Sequence, residues 1–119
     1  MPSHSRAFSA GVRIVDDVAI IDLSGEINGD ADTLLNDAYA ATMAADTSTV
    51  LLNFADVTYI NSTGIALIVG LLAQTRKAKR TLAICGLSDH YAEIFRITRL
   101  SDFMSIQPDE AAALAAAHK

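Results

Sequence analysis

The stretch Val50-Leu51-Leu52-Asn53-Phe54, followed by residues 55–60 and then by Asn61-Ser62-Thr63-Gly64-Ile65-Ala66-Leu67, decides how the rest of the chain is read. A short and nearly continuous apolar run such as Val50–Phe54 suits a central strand covered on both faces. Asn61 and Ser62 are good helix-capping residues, and no proline interrupts the next eighteen positions. A long helix is therefore predicted from Ser62 to about Lys79, with Ala55–Ile60 as the connection carrying Asp56 and Thr58.

Working outward from this strand and helix, Val12 and Ile14 alternate with Arg13, and Val18–Leu23 forms a β-branched run, so a hairpin turned at Asp16-Asp17 is expected. The spacing of one helical face recurs at Ala31, Leu34, Leu35, Ala38 and Ala41 or Thr42, which predicts a helix from about Ala31 to Ala44. Thr81–Cys85 reads as a buried strand closed by Gly86. Tyr91, Ile94, Phe95 and Thr98 follow at helical spacing behind the capping pair Ser88-Asp89. Leu100, Phe103 and Met104–Ile106 predict a last short strand, and Pro108-Asp109-Glu110 opens an alanine-rich last helix. Met1–Ala10 lack periodicity and read as a frayed end or the start of the first strand.

Strands and helices alternate after residue 25 with long crossovers, so the expected fold class is α/β: a mixed, mostly parallel sheet of about five strands with about four helices, the central helices on one face. The expected core comprises Ile20, Leu23, Leu34, Leu51, Phe54, Ile68, Leu72, Ile84, Ile94 and Phe95. At 119 residues and 51% hydrophobic, the chain has the size and apolar content of one domain spanning 1–119.

Composition narrows the chemistry. A formal net charge of −5, with basic residues bunched only at Arg76, Lys77, Lys79 and Arg80, points away from nucleic acid and anionic membranes and towards a protein partner. That bunch reads either as a phosphate-binding patch or as the cationic last turn of a helix. The N-terminus has no apolar signal core, and Ile65–Ala73 is too short to span a bilayer, so a soluble, cytoplasmic protein is expected. His4, His90 and His118 have no metal-ligand spacing to one another or to Cys85, which reads as a small core residue. No phosphate-cradling glycine loop and no nucleophile elbow occurs. Asp16-Asp17, a possible carboxylate pair, reads better as a turn. No enzyme, metal or cofactor is expected.

What remains is a pair of adjacent hydroxyls, Ser62 and Thr63, followed by Gly64 at the mouth of an apolar helix. Their plain role is capping. Along that helix Ile65, Ile68, Val69 and Leu72 form a stripe suited to a sheet, while Leu67 and Leu71 fall on another side. Either another part of the fold covers these two leucines, or they form an exposed apolar patch beside Ser62.

Residues 56–67 are similar to the signature of bacterial STAS (sulfate transporter and anti-sigma factor antagonist) domains, in which a strand and loop lead to Asp-Ser-Ser/Thr-Gly-Leu-Gly at a helix start. Leu23-Ser24-Gly25-Glu26-Ile27-Asn28 resembles the family's Leu-Thr-Gly-Glu-Leu-Asp, and the Phe95–Phe103 region resembles the family's helix ending before the last strand. The likeness runs from about Val12 to Leu114. It implies an anti-sigma factor antagonist in a partner-switching system that regulates transcription. The phosphorylated serine would be Ser62, with Thr63 as the alternative. The implied partners are an anti-sigma factor with serine kinase activity and a metal-dependent serine phosphatase. The expected partner surface is Thr58, Tyr59, Asn61, Ser62, Thr63, Gly64, Leu67 and Leu71. Asn61 stands where the family usually has Asp, and Ala66 where it often has Gly; Asn can still cap but lacks the charge. Two other readings remain: a STAS scaffolding module that is never phosphorylated, and a sensor of a small ligand.

Overall fold

The structure, a computed structural model, describes residues 7–117. His4 and His118, read above as lacking metal-ligand spacing, lie outside that range. Strand β1 (Ser9–Val15) turns at Asp16-Asp17 into β2 (Val18–Ile27), and a 3-10 turn (Gly29–Ala31) leads into α1 (Asp32–Thr42). Then come β3 (Thr49–Ile60), α2 (Ser62–Lys77), β4 (Thr81–Cys85), α3 (Asp89–Ile97), a second 3-10 turn (Leu100–Asp102), β5 (Ser105–Gln107) and α4 (Glu110–Ala117). The five strands lie in the order β1-β2-β3-β4-β5, antiparallel in the first pair and parallel in the rest. The α/β reading, the hairpin and the order of elements are as expected.

The two faces of the sheet are filled differently. On one, Ile21, Leu23, Val50, Leu52, Leu82 and Ile84 meet Leu35 and Tyr39 of α1, Ile68, Leu71 and Leu72 of α2, and Phe95 of α3 in one continuous core. On the other, Val18, Ile20, Leu51, Ala83 and Cys85 are covered by Ala113 of α4, with Leu114 and Ala117 packed at the margin. Burial of Cys85 pushes its thiol up to about 11. Beyond the edge of α4 the face turns polar. Asp22, Asn53, Cys85 and Gln107 stand in register across four strands, the Asn53 amide donates to Asp22 at 2.9 Å, and Arg13 joins Asp22 to Glu110 of α4.

Three expectations fail. Residues 55–60 are strand, not connection, because β3 continues alongside Ser24–Ile27 of β2 through two irregularities of register. Leu34 is 48% exposed, and the buried row of α1 is Ala31, Leu35, Ala38, Tyr39 and Thr42; with two adjacent leucines the helical period alone does not choose which one turns inward. Ile94 is half-buried, while its neighbour Phe95 is fully enclosed. The other residues of the expected core are buried. Arg99, directly after α3, holds φ of 68°, a left-handed helix terminator that usually favours glycine.

Candidate functional site

The site is assembled where β3 ends and α2 begins. Asn61 adopts an extended conformation, and its Oδ1 accepts the Gly64 N–H at 2.8 Å, while its carbonyl accepts the Ile65 N–H at 3.0 Å. Its own N–H donates to the Ile27 carbonyl at 3.2 Å, which joins the helix start to the end of β2. The cap is therefore Asn61, and the hydroxyls of Ser62 and Thr63, both exposed, stand outside that role.

Gly64 is required by close approach. A Cβ there would sit 2.2 Å from the Ile27 carbonyl oxygen, against backbone that cannot swing aside. Gly29, in the turn before α1, comes near the methyl of Thr63, so the 3-10 turn carrying Asp30 packs against the first turn of α2. The hydroxyl of Tyr91 in α3 accepts the Ile60 N–H at 2.9 Å, fixing the last residue of β3 from the other side. Ser62 thus projects from a mount held by β2, β3, α2 and α3.

Thr58 and Tyr59, near the end of β3, are both exposed, with Tyr59 at 51%. Leu67 is half-buried in a shallow groove of about 200 Å³ between the helices, lined by Asp32, Leu35 and Asn36 of α1 and by Ala66, Gly70 and Gln74 of α2. Leu71 does not belong to any surface: it is 1% exposed and sits in the core with Ile68, Leu72 and Leu35. Val69, assigned to the sheet-facing stripe by its spacing, is 41% exposed instead. The inward row is Gly64, Ile68, Leu71, Leu72 and Thr75, because the contact at Gly64 sets the rotation of the helix against β2 and turns Leu71 under α1. The expected patch of Leu67 and Leu71 is therefore absent: Leu67 stays half-buried at the groove, and Val69, about 160° round the helix from it, is exposed on another side of α2.

The basic bunch divides. Arg76 and Lys77 occupy the last turn of α2, with the Arg76 guanidinium over the ring of Phe103. Arg80 is structural: it donates to the Thr47 carbonyl at 3.0 Å, to the Thr47 hydroxyl at 2.5 Å and to the Thr42 hydroxyl at 3.1 Å. A wider cleft of about 680 Å³ near Asp17, Ser48, Lys79 and Arg80 lies at the opposite end of the sheet from Ser62, where β3 and β4 begin. No helix among the described residues is long and apolar enough to cross a membrane.

Residues 9–113 match the family model described as the STAS domain. Among curated proteins, the anti-sigma-B factor antagonist of Staphylococcus epidermidis is 31% identical over 91 residues, covering 76% of this chain and 84% of the relative. Among solved structures, an anti-sigma factor antagonist from Mycobacterium paratuberculosis superposes with a TM-score of 0.79 at 19% identity, covering 95% of this chain and 96% of that one. The Bacillus cell fate determinant SpoIIAA, solved in its phosphorylated form, superposes with a TM-score of 0.68 at 18% identity over 92% of this chain and 99% of that one. At these identities the two structures speak for the fold.

Proposed function

The chain belongs to the STAS domain family, and from that premise we propose that it is an anti-sigma factor antagonist switched by phosphorylation of Ser62. It acts by binding rather than by catalysis, as the relatives named for antagonism do. The observation that carries this reading is the division of labour at the start of α2: Asn61 supplies the cap, which leaves the Ser62 hydroxyl exposed on a rigid mount. In the unphosphorylated form, the exposed residues Thr58, Tyr59, Ser62 and Thr63, with Asn61 and Leu67 at their margin and Gly64 buried beneath them, meet an anti-sigma factor with serine kinase activity. That kinase modifies Ser62 and ends the complex, and a metal-dependent serine phosphatase restores it.

The physics of the switch is local. A phosphoserine adds about −1.5 to −2 charge, which the helix dipole and the N–H groups of a first turn accommodate without refolding. Docking would then bury that charge in the interface, and a partner surface without a matching Arg or Lys cannot offset its desolvation.

The test is calorimetric titration of the cognate anti-sigma factor kinase with unmodified and kinase-treated protein, with mass spectrometry to place the phosphate. Ser62→Ala should bind but resist modification, and Ser62→Asp should weaken binding by about tenfold or more with an unchanged Tm. Loss of the phosphate in Thr63→Ala but not in Ser62→Ala would move the site by one residue. Equal binding of both forms would leave a scaffolding module in place of a switch.

A further inference from the structure

The edge of the sheet formed by β1 is built to pair with a copy of itself, and we propose that the chain forms a twofold-symmetric dimer by antiparallel β1–β1 addition. Natural edge strands are usually guarded by proline, by a bulge, by lysine or by brevity. Strand β1 has seven residues, Ser9-Ala10-Gly11-Val12-Arg13-Ile14-Val15, pairs with β2 without interruption of register, and contains no proline. Its one charged side chain, Arg13, does not guard the edge either: it is tied across its own sheet to Asp22, at 2.5 Å, and to Glu110, at 2.6 Å.

The register decides which groups are on offer. The two-residue loop Asp16-Asp17 makes Val15 and Val18 a hydrogen-bonded pair, so by alternation Ser9, Gly11, Arg13 and Val15 point their N–H and C=O towards β2. Those of Ala10, Val12 and Ile14 point to the free edge. An antiparallel self-pair centred on Val12 places Ala10 opposite Ile14 and Val12 opposite Val12, and closes about six backbone hydrogen bonds across the twofold axis.

Side chains agree with this register. Ala10 and Val12 pack against the main core on the α1 face, and Ile14, of the same parity, is 48% exposed. Across the axis each Ile14 would lie on the partner's Ala10 and Val12, extending that core from one copy into the next. On the other face Arg13 would stand opposite Gly11, and a Cβ built at Gly11 meets nothing within 4 Å, so there is room and no like charge opposite Arg13.

Helix α1 contributes a second apolar rim. Asp32 and Asn36 line the groove towards α2, so the helical rotation puts Leu34 and Ala41 on the opposite flank, above the β1 edge on which α1 packs. Leu34 is 48% exposed there. The start of α2 lies beyond β2 and takes no part, so both Ser62 positions stay open in the dimer.

Sedimentation or light scattering of the full chain at increasing concentration tests this. The expected mass rises to twice the 12.6 kDa of one chain and no further. Ile14→Lys should return the protein to monomer with the circular dichroism and Tm of the wild type, and Val12→Pro, which removes an N–H that points outward and a side chain packed on the core, should do so with a lower Tm and an unchanged fold. Leu34→Lys should weaken the dimer without touching the strand, and Val69→Lys, on α2, should leave it intact. A chain that stays monomeric, a dimer that persists in the folded edge variants, or growth beyond a dimer would each overturn the proposal.

Discussion

The two faces of one sheet are stabilised by different means. The face under α1, α2 and α3 carries Leu, Ile and Phe side chains enclosed on all sides, whereas the face under α4 is closed by Ala113, Leu114 and Ala117 and then by a polar row and an ion-paired arginine. Burial scales with apolar area, at about 25 cal/mol per Å², so alanine methyls supply far less than leucine and phenylalanine side chains. The start of α2, which carries Ser62, is mounted on the strongly packed face. The proposed switch, a change of binding without refolding, needs such a mount, and the segment is held by Gly64 against Ile27 and by Tyr91 against Ile60.

Four substitutions would break or sharpen this contrast. The largest effect is expected from Leu71→Asp, which puts an unpaired carboxylate into the main core and should cost more than about 3 kcal/mol, enough to abolish the cooperative thermal transition. Leu67→Asp, one turn earlier and half-buried in the groove, is its control and should lower Tm far less while weakening partner binding. Equal losses in the two variants would mean that the groove is core.

A smaller and local effect is expected from Ala113→Asp, with Ala113 3% exposed against the second face. Unseating α4 should open Cys85, which is fully buried and protonated up to about pH 11, to thiol reagents, while amides in β2, β3 and β4 stay protected from hydrogen exchange. Exchange that rises throughout the sheet would show that the two faces unfold as one. The same thiol makes this face sensitive to base: its raised pKa favours the neutral form in the fold, so that contribution is complete at neutral pH and is lost as pH climbs towards about 11.

The smallest effect is expected from Arg13→Ala. The pair with Asp22 is more than a third exposed on both sides, so its removal should cost at most about 1 kcal/mol. Hydrogen bonding from Arg13 holds the Asp22 carboxyl below the usual range, so this contribution is present at neutral pH and is lost as pH falls through the folded-state pKa. Urea titrations at neutral and acidic pH should therefore differ less for Arg13→Ala than for the wild type. An unchanged difference would remove Asp22 from the acid response.

Most of the architecture was legible because its signals are local. The turn at Asp16-Asp17, the cap at Ser88, the short strand Thr81–Cys85 and the start of α2 at Asn61-Ser62 each follow from residues adjacent in the chain, as does the placing of two hydroxyls at a helix start. What periodicity could not supply was rotation. Leu34 against Leu35 in α1, and Leu71 against Val69 in α2, are choices between side chains that fit equally well on an isolated helix.

Only the tertiary structure made those choices, through contacts between residues far apart in sequence. Gly64 touching Ile27 sets the turn of α2 and sends Leu71 inward, and the tail of β3 becomes strand because β2 runs on beside it as far as Ile27. The sequence by itself determined the elements, their order and the location of the hydroxyl pair, since each of these is settled by local backbone preference. Which leucines are surface and which are core was decided by packing, because burial is a property of what lies opposite a side chain and not of the side chain itself.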